Sequence, residues 1–191
     1  MKNKRIAVVT LDGGAGKTAI AFALAKDLDY YLISNDDSVI EEVYPDRAKI
    51  MKHPQIIDDV VYDFGGFVDT GVLEVIKACD IVLIPCINDI NSKMKAIKTI
   101  KQLSPYNDKF IVVGTRLESD FDFQEITETI KKVFPEMEIF PLRKTKLFKN
   151  AIEFGQSPME LEAESKLTAY SQRKILKEYK NLLNHIKGDK R

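Results

Sequence analysis

The segment Leu11-Asp12-Gly13-Gly14-Ala15-Gly16-Lys17-Thr18 constrains the fold more than any other, because of what stands on either side of it. Before it runs a short apolar stretch, Ile6–Thr10, of the kind buried in a sheet. After it, residues 17–28 repeat apolar side chains at helical spacing. A glycine-rich turn between a strand and a helix lets successive backbone N–H groups face an anion that a Cβ would obstruct. The helix that follows aims its positive dipole end at the same place. Gly13, Gly14, Ala15 and Gly16 are therefore the candidate cradle. Lys17 is placed to reach the β- and γ-phosphates of a nucleotide, and the Thr18 hydroxyl to bind Mg²⁺.

The rest of the chain repeats that alternation. Apolar runs at Tyr30–Ser34, Val60–Phe64, Ile81–Cys86, Phe110–Gly114 and Met137–Pro141 are predicted as five further strands. Helices are predicted at about 69–78, 90–103, 123–134 and 144–154, with a longer one over about 160–186. Runs such as Ile81-Val82-Leu83-Ile84 are apolar on both faces, which implies a mostly parallel sheet covered by helices on each side, a three-layer α/β architecture. Residues 36–57, charged and interrupted by Pro45 and Pro54, are expected as loops and short helical turns. At 191 residues, with no linker, the chain is expected to form a single domain.

Charge and cysteine content narrow the classes. Lys+Arg and Asp+Glu are 29 each, which excludes holding nucleic acid by bulk charge. Residues 143–191 nevertheless carry 12 basic and 6 acidic side chains, so a basic face is expected at that end. Cys79 and Cys86 have neither a CxxC spacing nor partner histidines, which points to a reducing, cytoplasmic setting without a zinc site. No run approaches the roughly 20 apolar residues of a membrane span.

Gly13-Gly14-Ala15-Gly16-Lys17-Thr18 resembles the deviant Walker A loop of the ParA/MinD family of P-loop ATPases, whose pattern is K-G-G-x-G-K-[ST]. Asp12 stands where that family has its signature lysine, a residue that crosses the dimer interface to the partner's ATP. The resemblance thus implies slow hydrolysis, or a substitute cation such as Lys52, Arg116 or Arg143. Leu32-Ile33-Ser34-Asn35-Asp36 is similar to the family's I-D-x-D segment. Asp36 matches the aspartate that orients the attacking water, although it also reads as a cap or turn residue. Asp63, at the end of an apolar strand, matches the residue that holds Mg²⁺ together with Thr18, and the glycines after it match a segment that moves when the γ-phosphate leaves. The resemblance makes Lys17, Asp36 and Asp63 the catalytic set.

Ile81-Val82-Leu83-Ile84-Pro85 resembles the family's fourth strand. Thr115 stands where relatives carry an adenine-reading asparagine, and Pro141 in a segment that borders the adenine pocket. Arg143, Lys144, Lys146 and Lys149 match basic positions that touch DNA without reading sequence, or else form a solvated helix face.

By this resemblance the chain is expected to bind ATP and Mg²⁺, to form a homodimer on ATP, and to act with a centromere-binding or other adaptor protein in plasmid partition, in the cytoplasm or on the nucleoid. The loop starts about eleven residues from the N-terminus, which argues against an upstream operator-binding domain. A nucleotide-binding scaffold with degenerate ATPase activity is the alternative. The basic amphipathic stretch around Leu176, Tyr179, Leu183 and Ile186 is expected to pack on the sheet rather than lie on a membrane.

Overall fold

The computed structural model describes residues 4–65 and 70–188. Seven strands form one sheet: β1 (Arg5–Val9), β2 (Tyr31–Ser34), β3 (Ala48–Ile50), β4 (Val60–Phe64), β5 (Ile81–Ile87), β6 (Phe110–Leu117) and β7 (Glu138–Arg143). Their order is β3-β2-β4-β1-β5-β6-β7, and every pairing is parallel. The chain leaves the central β1 toward one edge, returns to β4, and crosses to the other side through β5. The C-terminal ends of β1, β4 and β5 therefore frame the point at which the winding reverses, where parallel sheets hold ligands.

Alternation along each strand builds the three layers. Ile6 and Val8 of β1, Leu32 of β2, Val61 of β4 and Leu83 of β5 enter one core. Ala7, Val9, Ile33, Val60, Tyr62 and Val82 enter the other. The first core is closed by α1 (Lys17–Leu28), α6 (Leu147–Phe154) and α9 (Arg173–Lys187). The second is closed by α3 (Thr70–Ala78), α4 (Ile90–Leu103) and α5 (Asp120–Lys131). α1 is rich in alanine and leucine, and seven of its residues are buried, so it packs as a central element rather than a surface helix.

Two expectations need correction. The irregular stretch 36–57 contains, besides the short α2 (Ile40–Val43), the edge strand β3. The long terminal helix is three: α7 (Pro158–Glu164), α8 (Lys166–Ser171) and α9. Ser157 caps α7 in a reciprocal box with Glu160, and Ser165 ends α7 while capping α8 through the Thr168 N–H. The apolar side of α9, with Ile175, Leu176, Tyr179, Leu182, Leu183 and Ile186 buried, packs on the first core as expected. Among the described residues, no helix is long and apolar enough to cross a membrane.

Candidate functional site

The phosphate loop leaves β1 and enters α1 with Gly14 at φ 89° and Gly16 at φ 85°, both left-handed. Gly16 occupies the N-cap position, where no side chain caps the helix and no acidic residue stands in the first turn. The free N–H groups and positive end of α1 thus face the loop unanswered, a ready anion site. Added Cβ atoms at Gly13, Gly14 or Gly16 would meet nothing within 4 Å, so the loop borders open space. Ala15 is fully buried, and its carbonyl accepts the Thr115 hydroxyl at 3.0 Å.

Lys17 Nζ donates to the Asp12 backbone carbonyl at 3.3 Å, across the mouth of the loop. At the second residue of the helix, Thr18 Oγ1 donates to Asp63 Oδ2 at 2.6 Å. Asp63 is the penultimate residue of β4, paired with Val8 of β1 on one side and Ser34 of β2 on the other. It is 1% exposed, and its second oxygen, Oδ1, is buried without any hydrogen-bond partner. Burial pushes the Asp63 carboxyl up, against the Thr18 hydroxyl and the Lys17 charge, and the charge of Asp36 adds to the rise. A buried carboxylate oxygen left unsatisfied beside a helical Thr and a Lys is a donor set suited to a hydrated hard cation such as Mg²⁺.

Asp36 lies just past β2. Its N–H donates to Ser34 Oγ at 3.1 Å, and its Oδ1 accepts from the Asp37 N–H at 3.0 Å. A Cβ on Gly65 would sit 2.6 Å from Asp36 Oδ2, and the Gly65 N–H donates to Asn35 Oδ1 at 2.8 Å. The end of β4 therefore touches the loop after β2, which brings Asp36 beside the segment that follows Asp63. Gly66, the other glycine expected to move, falls outside the described residues.

A cleft of about 430 Å³ opens beside the loop, lined by Gly16, Ala19, Ile20, Leu142, Phe148 and Ile152, with Thr115, Arg116, Arg143, Lys144 and Lys149 at its polar parts. It falls within the size range of small-molecule sites. Arg116 holds a left-handed φ of 54° where β6 slips register against β7 between Gly114 and Leu117. Thr115 borders the cleft, and its hydroxyl donates to the Ala15 carbonyl, a tie between β6 and the loop. Pro141 does not line this cleft. It lies in a shallower groove with Phe123, Met137 and Asn181, because strand alternation turns its neighbour Leu142 toward α1.

Two basic predictions change with the geometry. Arg143 is bound by Glu178, with Nε to Oε1 at 2.8 Å, and by Asp120, so its guanidinium is used internally. Of the cations expected to replace the signature lysine, Arg116 and Arg143 line the cleft beside the loop. The cation that pairs with Asp12 is Lys95 of α4, with Nζ 3.0 Å from Asp12 Oδ1. Nothing near the loop in sequence signals it, since the two lie 83 positions apart. Lys144 pairs with Glu118 and Lys149 with Glu153, both at exposed positions. Among the described residues no group of three or more His, Cys, Asp and Glu side chains gathers as a metal site.

No protein-family model and no curated protein matches the chain. Among solved structures, MinD of Aquifex aeolicus in its MinC:MinD complex is similar over 98% of this chain and 97% of its own, with a TM-score of 0.69 and 14% identity. An ATP complex of a variant of Cyanothece McdA aligns over 99% of this chain and 98% of its own, with a TM-score of 0.65 and 16% identity. A ParA family ATPase from Chlorobium tepidum aligns over 96% and 98% of the two chains, with a TM-score of 0.62 and 14% identity. At these identities the likeness establishes the fold alone, an α/β architecture shared over 96–99% of the chain.

Proposed function

We propose that this chain is a ParA/MinD-type ATPase, a nucleotide-dependent switch that binds ATP with Mg²⁺, dimerises on it and hydrolyses it slowly. The observation that carries the reading is the pair Thr18–Asp63, with its orphaned Asp63 Oδ1, at the uncapped N-terminus of α1. In this reading the backbone N–H groups of 13–18 and the Lys17 ammonium hold the triphosphate. Thr18 and Asp63 hold Mg²⁺, which would neutralise charge building on the phosphates. The base enters the cleft beside Ala19 and Phe148.

Asp36 is assigned to orient a water for attack on the γ-phosphorus, giving ADP and phosphate, and its contact with Gly65 ties that water's position to the segment beyond β4. The fold shared with MinD, McdA and a ParA family ATPase supports the same reading. By that analogy, the ATP-bound homodimer would engage DNA non-specifically through Lys144, Lys146 and Lys149, with an adaptor protein, in the cytoplasm or on the nucleoid.

The test is binding of labelled ATP and GTP, with Mg²⁺, to the wild type and Lys17→Ala, with light scattering on the same samples. The switch requires Lys17-dependent ATP binding and a doubling of mass with a non-hydrolysable analogue. Binding without a change of mass favours the second reading, a scaffold with degenerate ATPase activity. Asp12 at the signature position and the inward-tied Thr115 hydroxyl speak for that reading.

A further inference from the structure

An acidic side chain in a phosphate loop works against its own ligand, so the surroundings of Asp12 decide whether the loop can hold a triphosphate. Asp12 is 8% exposed, yet its carboxylate is not orphaned: Oδ1 accepts from Lys95 Nζ at 3.0 Å. The backbone carbonyl of the same residue accepts from Lys17 Nζ, so the two ammonium groups flank one aspartate at the mouth of the loop. α4 holds this stretch at a further point. The Leu11 N–H donates to Thr99 Oγ1 at 3.3 Å, and Thr99 Oγ1 donates to the Lys95 carbonyl at 2.8 Å. The Asp12 N–H is satisfied within the loop by Thr10 Oγ1 at 3.2 Å.

Burial by itself would push the Asp12 carboxyl up. The neighbouring Ser92 hydroxyl, the Lys95 ammonium and the charge of Lys17 outweigh burial and hold it below the ordinary carboxylate range. The aspartate is thus an ion at neutral pH. Without Lys95, Lys17 and Asp12 would cancel beside the anion site. With it, one net positive charge remains.

We propose that Lys95 is a positioning residue for the phosphate loop, acting from α4 and within the same chain to neutralise Asp12, so that a triphosphate meets the positive field of Lys17 and the α1 terminus. This rests on the nucleotide reading above. It differs from a lysine offered across a dimer interface, because the pair is already complete in one chain.

The experiment is a double-mutant cycle on equilibrium binding of a fluorescent ATP analogue with Mg²⁺, with thermal unfolding run on every variant. Lys95→Met is expected to weaken binding about tenfold, the scale of one uncompensated charge near the phosphates. That loss should shrink as salt is raised. Lys95→Arg should retain wild-type affinity. Asp12→Asn should bind at least as tightly as wild type, and Asp12→Asn with Lys95→Met should recover most of the lost affinity.

A purely structural role predicts otherwise: the double variant would be as weak as, or weaker than, Lys95→Met. That result, or unchanged affinity in Lys95→Met, overturns the proposal. Failure of the wild type itself to bind overturns the nucleotide reading along with it, and the wild-type measurement tells the two apart.

Discussion

At Gly65 the backbone runs so close to Asp36 that a methyl group there would fall 2.6 Å from its Oδ2. Gly65→Ala must therefore displace the Asp36 side chain, whose Cγ and Cβ would also fall at 2.9 and 3.0 Å from the new methyl group. If Asp36 positions the attacking water, turnover in a single-turnover ATP assay should fall roughly 10²-fold with ATP affinity nearly unchanged. Equal turnover would remove Asp36 from the mechanism. The two thiols yield a second prediction. Burial pushes Cys79 and Cys86 up to about 12, and they are 1% and 0% exposed. At pH 8 both are protonated, so a thiol reagent should modify the native protein at least 10²-fold more slowly than the urea-unfolded chain. At this scale, local patterns were legible: the loop glycines, Lys17, Thr18 and Asp63 announce themselves by sequence neighbours. Lys95 does not, because its meaning depends on α4 folding against the loop.

Between elements, the tie with the most at stake joins α1 to α9. Tyr179 is fully buried, and its hydroxyl donates to Asp27 Oδ2 at 2.8 Å. Burial pushes the Asp27 carboxyl above its ordinary value of 3.8, while Ser157 and Tyr179 lower it and Glu160 raises it further. Because the folded pKa is the higher one, ionising Asp27 opposes folding above that ordinary value, and the cost disappears as pH falls. Tyr179→Phe removes the donor and leaves the half-buried Asp27 carboxylate with one hydrogen bond fewer. Urea unfolding at pH 7 should show a loss of about 1–3 kcal/mol that narrows toward acid as Asp27 takes up its proton.

Six strands and most helices were readable as apolar runs and helical periods, since both faces of the sheet are buried. β3 was not: three residues, Ala48-Lys49-Ile50, with an exposed lysine at the centre, carry no period. The breaks at Ser165 and Gln172 were hidden for another reason. The helical spacing continues across them: the Ser165 cap marks the first break, and at Gln172 no side chain caps the helix that follows.

Over the whole molecule the charge is zero, but it is divided: 12 basic against 6 acidic side chains in 143–191, and 17 against 23 before them. Composition alone made this basic end look like four equivalent contacts. The fold withdraws Arg143, which is held by Glu178 and Asp120 with its side chain 18% exposed. Lys144 and Lys149 keep only exposed ion pairs, worth about 0–1 kcal/mol each, which a phosphate can displace. With Lys146 this leaves three candidate phosphate contacts per chain for the proposed DNA binding, too few for a monomer to hold a duplex firmly in salt.

Three neutralised phosphates imply that duplex affinity falls about 40-fold between 50 and 200 mM salt, and six imply about 10³-fold, because each contact adds roughly 0.9 to the log–log slope. If ATP pairs two copies with these lysines on one face, fluorescence anisotropy on a short duplex should show the slope doubling on addition of a non-hydrolysable ATP analogue. The Lys144→Gln, Lys146→Gln, Lys149→Gln variant should lose that slope while still dimerising. A slope that stays the same with and without the analogue would mean that nucleotide does not assemble a DNA-binding face, and would leave these lysines as solvated surface.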